Sequence, residues 1–307
     1  MSAPLPVGEV PDEGLIAKIV EATIVVRAVE AALARLSASG RVGPVQGPGR
    51  AARAMIAAAH ALGPRDVIFG TPRDWPAAFV RGVDVKALML QAAARAGSLN
   101  LGRTLPGALD DGARGVTLSA STPAAHLLHA VGFGTAARVR RDDRVALALF
   151  GVGGFSYGDA HAAFSAAPVH RAHTVFVARG PLGDDPSLAE VAAAAALWVE
   201  VVDADDGAAL YAAVAAARAR AIGGEGPTLV DARYRPGAPR ALDVGRLQRA
   251  GRLSSEAERA IDAEIRASLW RGRSAMERAG APPIDTLEDH LRAPAPVAPA
   301  EQDEEQA

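Results

Sequence analysis

The stretch Arg144–Ala167 constrains the fold of this chain more strongly than any other part of its sequence. Its apolar run, Val145–Phe150, stops at a cluster of glycines, and a helix-like segment begins near Ser156 or Gly158. A strand, a glycine turn and a helix in this order bring backbone N–H groups and a helix N-terminus together, and this arrangement can hold a phosphate. The stretch therefore predicts a strand–turn–helix unit with an anion-binding turn.

From Val116 onward, short apolar runs alternate with helix-like segments. The predicted strands are Val116–Leu118, Arg144–Phe150, Thr174–Ala178, Trp198–Val202 and Thr228–Arg233. The predicted helices are Pro123–Arg138, Gly158–Ala167, Ser187–Ala196 and Gly207–Ile222. Alternation at this spacing is typical of an α/β fold with a mainly parallel sheet and helices on both faces.

The residues before Val116 are predicted to be mainly helical. Helical periodicity marks the segments Val10–Leu36, Arg50–Leu62 and Asp84–Ala96, the first of which ends at Ser39-Gly40. A short strand is expected within Arg65–Gly70, and the glycine-rich segment Gly97–Gly115 is expected to be an irregular surface loop.

These patterns predict four parts of the chain. They are an N-terminal helical segment at 1–45, an α/β core at 46–236, a C-terminal helical region at 237–292 and a tail at 293–307. The C-terminal region contains an amphipathic helix at Ser254–Ala279. The tail, Ala293–Ala307, combines proline and alanine with several acids and is predicted to be disordered.

Composition excludes several classes of function. The chain has 307 residues, 50% of them hydrophobic, and can bury a substantial core. Its formal net charge of −2 gives no field for nucleic acid or an anionic membrane, and its lack of cysteine excludes disulfides and thiolate zinc sites. No apolar run is long enough to span a membrane, and Met1–Glu21 does not resemble a signal peptide. A soluble, cytoplasmic protein is therefore expected.

Histidine pairs at helical spacing are a second kind of candidate site. His126 and His129 lie three residues apart on a predicted helix, and His170 and His173 repeat this spacing before a strand. Such pairs can chelate a metal ion. Because no carboxylate or cysteine is grouped with either pair, ordinary surface or packing histidines are the favoured interpretation.

Three features near the glycine turn have structural explanations. Ser119-Ala-Ser-Thr122 is interpreted as a helix N-cap cluster before Pro123, and Asp159 as a favourable charge in the first turn of a helix. The glycines at 151, 153 and 154 are interpreted as requirements of a tight turn and close helix packing.

The same turn allows a dinucleotide-binding interpretation. Gly151-x-Gly153 could belong to a Rossmann turn, and the next strand ends in Arg179, which would suit the 2′-phosphate of NADP. A third glycine at the usual spacing is missing, and a long segment of mixed structure precedes the turn. An NADP-binding oxidoreductase is therefore the least favoured alternative.

Ten short motifs occur in order between Leu15 and Leu291. They are Arg27-x-x-Glu30, Gly49-Arg-Ala-Ala52, Asp66–Trp75 with Arg81-Gly82, Gly102–Pro106, Ala130–Gly132, Phe150–Gly153, Gly158–His161, Gly226–Val230, Tyr234-Arg235 and Ala281–Asp285. None is specific alone. As an ordered set they resemble the alpha subunit of the thiamine-diphosphate-dependent component of 2-oxo acid dehydrogenases, of the pyruvate and branched-chain type.

The resemblance implies a thiamine-diphosphate-binding fold whose cofactor lies between an alpha and a beta subunit. In the family, the alpha side binds the diphosphate and magnesium, and the beta side supplies the activating carboxylate. A 2-oxo acid is oxidatively decarboxylated and its acyl group passes to a lipoyl domain. Arg73, Gly153 and Arg179 are the implied diphosphate-binding residues, although both arginines have a slightly favoured interpretation as solvent-facing or ion-paired surface residues. The implied partner is a beta-subunit-like chain or a second copy.

The sequence departs from the family pattern where the family binds metal. Val152 stands where the glycine turn carries an acid, and Gly180 and Pro181 stand where the next strand ends in paired asparagines. Magnesium requires oxygen ligands, which valine does not have, and burying an uncompensated diphosphate costs several kcal/mol. The sequence therefore gives no metal ligand.

Other positions of the family pattern have also changed. Trp75 replaces a histidine, Tyr157 replaces a glutamate and Pro72 replaces a tyrosine. Arg50-Ala51 replaces a glutamine-glutamate pair, and the loop after Tyr234-Arg235 contains no histidine. With no catalytic residue left, the first hypothesis is a degenerate alpha-like subunit, non-catalytic alone, that acts as a scaffold or regulatory subunit. The second is a working subunit that binds thiamine diphosphate and magnesium with ligands from a beta-like partner.

Overall fold

A computed structural model describes residues 12–182, 188–235 and 254–288 of the chain. The α-helices within these ranges are α1 Glu13–Ala38, α2 Ala52–His60, α3 Trp75–Val80, α4 Val85–Ala92, α5 Ala125–Val139, α6 Gly158–Val169, α7 Leu188–Ala194, α8 Gly207–Ile222 and α9 Ser255–Arg278. Short 3-10 helices occur at Gly49–Ala51, Pro72–Asp74, Gly112–Arg114, Val152–Ser156 and Ile284–Glu288.

The strands of the described residues form one seven-stranded sheet in the order β2-β3-β1-β4-β5-β7-β6. They are β1 Val67–Phe69, β2 Asp110–Asp111, β3 Val116–Thr117, β4 Ala146–Gly151, β5 Thr174–Pro181, β6 Trp198–Asp203 and β7 Thr228–Tyr234. Every neighbouring pair is parallel except β2 and β3, which are antiparallel. The predicted mainly parallel sheet is confirmed.

Helices cover both faces of the sheet, as predicted. Side chains of β4 alternate between the faces: Leu147 and Leu149 join an apolar cluster with residues of α1, α2 and α8, whereas Ala148 and Phe150 join a cluster with residues of α5 and α6. Because both faces are buried, β4 and β5 are apolar almost throughout, and the run of apolar residues identifies them in the sequence.

Asp66 fixes the amino ends of the central strands. Its side chain is buried and accepts hydrogen bonds from the backbone N–H groups of Gly63 (2.7 Å) and Val145 (2.9 Å). Arg218 of α8 completes the arrangement, with its Nε 2.5 Å from Asp66 Oδ2. One carboxylate therefore joins the start of β1, the start of β4 and a covering helix.

Most predicted elements are confirmed within a few residues, and α1 ends as expected, with Ser39 as C-cap and Gly40 at a φ of +68°. Two predictions are wrong. Gly97–Gly115 is not entirely an irregular surface loop, because it contains β2 and buries Leu109. The cluster at 119–122 does not cap α5, whose N-cap is Ala124 with no side-chain hydrogen bond.

Several predictions fall on residues outside the described ranges. These are the start of the first helix before residue 12, the loop after Arg235 up to residue 253, and the tail at 293–307. The predicted domain boundaries at 46 and 236 stay predictions. Across 12–182, 188–235 and 254–288, no helix has both the length and the apolar character that a membrane crossing requires.

Candidate functional site

The carboxyl ends of β1, β4 and β5 meet at one edge of the sheet. β1 and β4 are neighbours in the sheet. After β1 the chain continues to β2 and β3 on one side of this pair, and after β4 it continues to β5 on the other side. Neighbouring strands whose connections leave in opposite directions create a crevice at their carboxyl ends, where α/β proteins bind ligands. Three segments surround this edge: 70–75 after β1, 152–156 after β4, and 179–181 at the end of β5.

Val152 packs directly against Gly180 at this edge. Gly151 and Arg179 are paired in the parallel register of β4 and β5, which brings the following residues together. A Cβ atom added to Gly180 would overlap Cγ2 of Val152 and would lie 3.0 Å from its Cγ1. Val152 is half-buried and also packs on the apolar cluster of α5 and α6. The two positions are therefore neighbours, joined by a hydrocarbon contact.

This contact does not fit a magnesium ion. Neither Val152 nor Gly180 has a side-chain oxygen, and the carbonyl oxygen of Pro181 accepts a hydrogen bond from Arg233 at 3.1 Å. Magnesium demands near-octahedral oxygen coordination. Within the described residues, no group of three or more histidine, aspartate or glutamate side chains could hold a metal ion.

Adding a methyl group at Gly180 is expected to destabilise the protein through Val152. We expect Gly180→Ala to lower the free energy of unfolding by about 1–3 kcal/mol, because the new Cβ forces Val152 to move within packed surroundings. Adding Val152→Ala to this variant should recover much of the loss, since the two residues are in contact. Urea denaturation followed by circular dichroism measures both effects.

Gly153→Ala is the matched control, because a Cβ atom there would meet nothing within 4 Å. It should change stability by no more than about 0.5 kcal/mol. A loss at Gly180 equal to that at Gly153, or one unaffected by Val152→Ala, would contradict the proposed contact.

Close packing does not require glycine at any of the three positions of the turn, because a Cβ atom at Gly154 would also make only ordinary contacts, the nearest at 3.5 Å. Gly151, Gly153 and Gly154 all have negative φ angles. A Cβ atom at Gly151 would have one neighbour at 3.9 Å, and one at Gly153 would have none. The interpretation of close helix packing is therefore wrong, whereas the tight turn is present as the 3-10 helix Val152–Ser156. The predicted cofactor contact of Gly153 stays a prediction.

Arg179 forms a buried ion pair with Asp74. Arg179 is 5% exposed and Asp74 is fully buried, and Nη2 of the arginine contacts Oδ1 of the aspartate. Burial lowers the pKa of Arg179, and the negative charge of Asp74 opposes this effect. The interpretation of Arg179 as a surface residue is wrong, whereas Arg73 is exposed as that interpretation expected.

Asp74 is held in place by the turn after β1. Its Oδ2 accepts hydrogen bonds from the backbone N–H (2.9 Å) and the hydroxyl (2.8 Å) of Thr71, in a capping box at the 3-10 helix Pro72–Asp74. Asp74 is not among the site residues predicted from the sequence. The spacing Thr71-x-x-Asp74 before a short helix is the signal that could have identified the capping role.

His126 is buried, and the charges of Asp74 and Arg179 reach it electrostatically. Its Nε2 is 2.8 Å from the carbonyl oxygen of Leu149, and its Nδ1 has no hydrogen-bond partner among the described residues. Burial lowers the pKa of His126, and the hydrogen bond to Leu149 opposes the shift. A histidine with a lowered pKa is neutral near pH 7. The interpretation of His126 as a packing residue is confirmed.

Neither histidine pair is arranged as a chelate. His126 is buried while His129 is exposed, and His173 is buried while His170 is exposed. The two histidines of each pair therefore lie in different environments, and the interpretation of both pairs as ordinary histidines stays a prediction.

Trp75 is fully buried at the position where the family pattern has a histidine. It belongs to the larger apolar cluster, with its ring centroid 5.1 Å from that of Phe79. Its Nε1 is 3.4 Å from the carbonyl oxygen of Gln46. This position therefore contributes a core side chain, and no group there can exchange a proton with a ligand.

The family profile and the curated relatives that match this chain point to the same family. The profile of the family "Dehydrogenase E1 component" matches residues 20–180, which is more than half of the chain. The 2-oxoisovalerate dehydrogenase subunit alpha 2, mitochondrial, of Arabidopsis thaliana is 32% identical over 193 residues, covering 59% of this chain and 41% of the relative. The 2-oxoisovalerate dehydrogenase subunit alpha of Bacillus subtilis (strain 168) is 29% identical over 191 residues, covering 58% of each chain.

A solved structure supports the fold. Transketolase from Campylobacter jejuni subsp. jejuni NCTC 11168 aligns with 86% of this chain and 49% of its own, with a TM-score of 0.51 and 14% identity. The predicted thiamine-diphosphate-binding fold is thereby confirmed. The chain spans about half the length of the curated relatives named above. Since the family profile covers most of the segment that builds β1, β4 and β5, this chain belongs to the dehydrogenase E1 component family.

Proposed function

We propose that this chain is an alpha-like subunit of a 2-oxo acid dehydrogenase that does not catalyse by itself and acts as a scaffold or regulatory subunit. The contact between Val152 and Gly180 is the observation that carries the proposal. It occupies the two positions at which the family pattern places metal ligands. The surrounding sheet and helices retain the family's architecture.

The physical argument concerns charge. A diphosphate brings several negative charges to the edge of the sheet, and a magnesium ion with oxygen ligands would neutralise them. At this edge the chain offers Val152, Gly180 and a proline carbonyl that is already hydrogen-bonded. Placing an ion in such surroundings without compensation costs several kcal/mol per charge. We therefore derive no chemical step through thiamine diphosphate or magnesium for this chain alone.

The proposed partner is a beta-subunit-like chain, with self-association as the alternative. The named relatives are themselves alpha subunits, which supports an assembly role for this chain. A formal net charge of −2 supports a protein partner over nucleic acid or an anionic membrane. The NADP alternative loses its main support, because the guanidinium that would hold a 2′-phosphate is paired with Asp74.

Calorimetry tests the proposal directly. We expect titration of the purified chain with thiamine diphosphate and magnesium to give no binding heat, because no metal ligand is available at Val152 or Gly180. A parallel titration with NADPH should also be silent. A beta-like chain that co-purifies with this one would support the assembly role.

Two outcomes would contradict the proposal. Thiamine diphosphate binding in the micromolar range by the chain alone would show that a working site persists. Binding and turnover that appear only after a beta-like chain is added would favour the second hypothesis, in which the partner supplies the missing ligands.

A further inference from the structure

The buried pair of Asp74 and Arg179 lies where the family resemblance expects a diphosphate contact. Arg179 lies two residues before the end of β5 and is paired with Gly151, the last residue of β4, at the carboxyl edge of the sheet. Its side chain is nine-tenths or more buried, and its Nη1 has no hydrogen-bond partner among the described residues. A buried guanidinium needs a negative group beside it, because burial penalises the charged form.

We infer that Asp74 is the internal counter-ion of Arg179 and closes this edge of the sheet to phosphate-type anions. The inference deepens the proposed function, on which it rests, by naming the residue that replaces the anion. Asp74 supplies the negative charge from within the chain. An entering diphosphate would therefore meet a carboxylate at the place where it would need a free guanidinium.

The position of Asp74 supports this role. Both hydrogen bonds from Thr71 go to Oδ2, which leaves Oδ1 facing Arg179. A carboxylate fixed in this way cannot rotate away without losing those bonds. Displacing it would also leave a fully buried charge without its partner, which is strongly unfavourable.

Removing the charge of Asp74 should uncover a latent anion site. Asp74→Asn keeps an oxygen that can accept from Thr71 but leaves Arg179 without a counter-ion. Arg73 is exposed nearby, and its positive charge further lowers the pKa of Arg179. Two arginines without an acid between them are suited to a doubly charged oxyanion.

The test measures thermal unfolding of four proteins with and without inorganic pyrophosphate, in the absence of magnesium. The proteins are the unaltered chain, Asp74→Asn, Arg179→Met and the double variant Asp74→Asn with Arg179→Met. Pyrophosphate should leave the unaltered chain unchanged and raise the Tm of Asp74→Asn, since a ligand that binds only the folded state stabilises it. Pyrophosphate should not change the Tm of the two variants that lack Arg179. Sodium chloride at matched ionic strength controls for screening.

Two results would overturn the inference. One is an equal Tm response of the unaltered chain and Asp74→Asn, whether both rise or neither does, which would show that Asp74 does not block an anion site. The other is an equal response of Asp74→Asn and the double variant, which would show that Arg179 does not bind the anion. If Asp74→Asn does not fold unaided, the same comparison is made by refolding yield: pyrophosphate should rescue Asp74→Asn but not the double variant.

The two proposals fail in different ways. This experiment contains no thiamine, metal or partner chain, so a silent Asp74→Asn variant would leave the argument from Val152 and Gly180 intact. Conversely, binding of thiamine diphosphate with magnesium by the unaltered chain would refute the proposed function. The pyrophosphate comparison would still show whether Asp74 neutralises Arg179.

Discussion

Replacing Asp66 with alanine is expected to lower the free energy of unfolding by about 3–5 kcal/mol, the range for breaking a buried ion pair by removing one partner. The substitution leaves the backbone N–H groups of Gly63 and Val145 without acceptors. It also removes the carboxylate that pairs with Arg218. Because these contacts join β1, β4 and α8, their loss should affect the whole domain. Urea denaturation monitored by circular dichroism gives the change.

A surface carboxylate provides the control for this prediction. Glu264 pairs with Arg271 on α9, and both side chains are largely exposed. Glu264→Ala should change stability by less than about 1 kcal/mol, as is usual for exposed ion pairs. If Asp66→Ala caused no larger loss than Glu264→Ala, Asp66 would not be the link between the strands.

Restoring a histidine at position 75 is expected to destabilise the protein without creating a catalytic group. Trp75 is fully buried, and replacement of such a side chain by a small one costs about 3–5 kcal/mol. We expect Trp75→His to fall in the same range, because histidine leaves a cavity and also buries a polar ring. Guanidinium denaturation followed by far-ultraviolet circular dichroism measures the loss.

Trp270→His is the matched substitution on the surface. Trp270 lies on α9 and is 68% exposed, so its replacement should change stability by no more than about 0.5 kcal/mol. A Trp75→His variant as stable as Trp270→His would contradict the assignment of Trp75 to the core.

The sequence predicts the central strands well because burial on both faces leaves a clear signal. β4 and β5 are apolar runs next to glycine or helix signals, and their parallel pairing follows from the helices between them. β2 is two aspartates, Asp110–Asp111, which have no strand-forming pattern. Its antiparallel partner β3 begins only five residues after β2 ends, and both strands are two residues long, which is too short for an alternating pattern. The predicted start of α5, at Pro123, is two residues too early, because Ala124 adopts a left-handed φ of +69°, which is unusual for alanine.

The side chains at positions 152 and 180 can be read directly from the sequence, whereas the buried ion pair of Arg179 and Asp74 cannot. The absence of oxygen ligands at Val152 and Gly180 is visible in the sequence, and the register of β4 and β5 explains why the two positions meet. The burial of Arg179 was not predictable, because arginine is usually exposed. Its partner Asp74 lies in the turn after β1, far from Arg179 in the sequence. The two residues meet because β1 and β5 both pair with β4 in the sheet.

The contact of Val152 with Gly180 also constrains how oxygen ligands could arise at these two positions during evolution. An asparagine introduced first at position 180 would collide with the valine methyl groups. A glutamate introduced first at position 152 would place a carboxylate against the apolar cluster of α5 and α6 without a cation to neutralise it. Either order passes through a less stable intermediate. Oxygen ligands at both positions would therefore have to arise together, because each substitution alone makes the protein less stable.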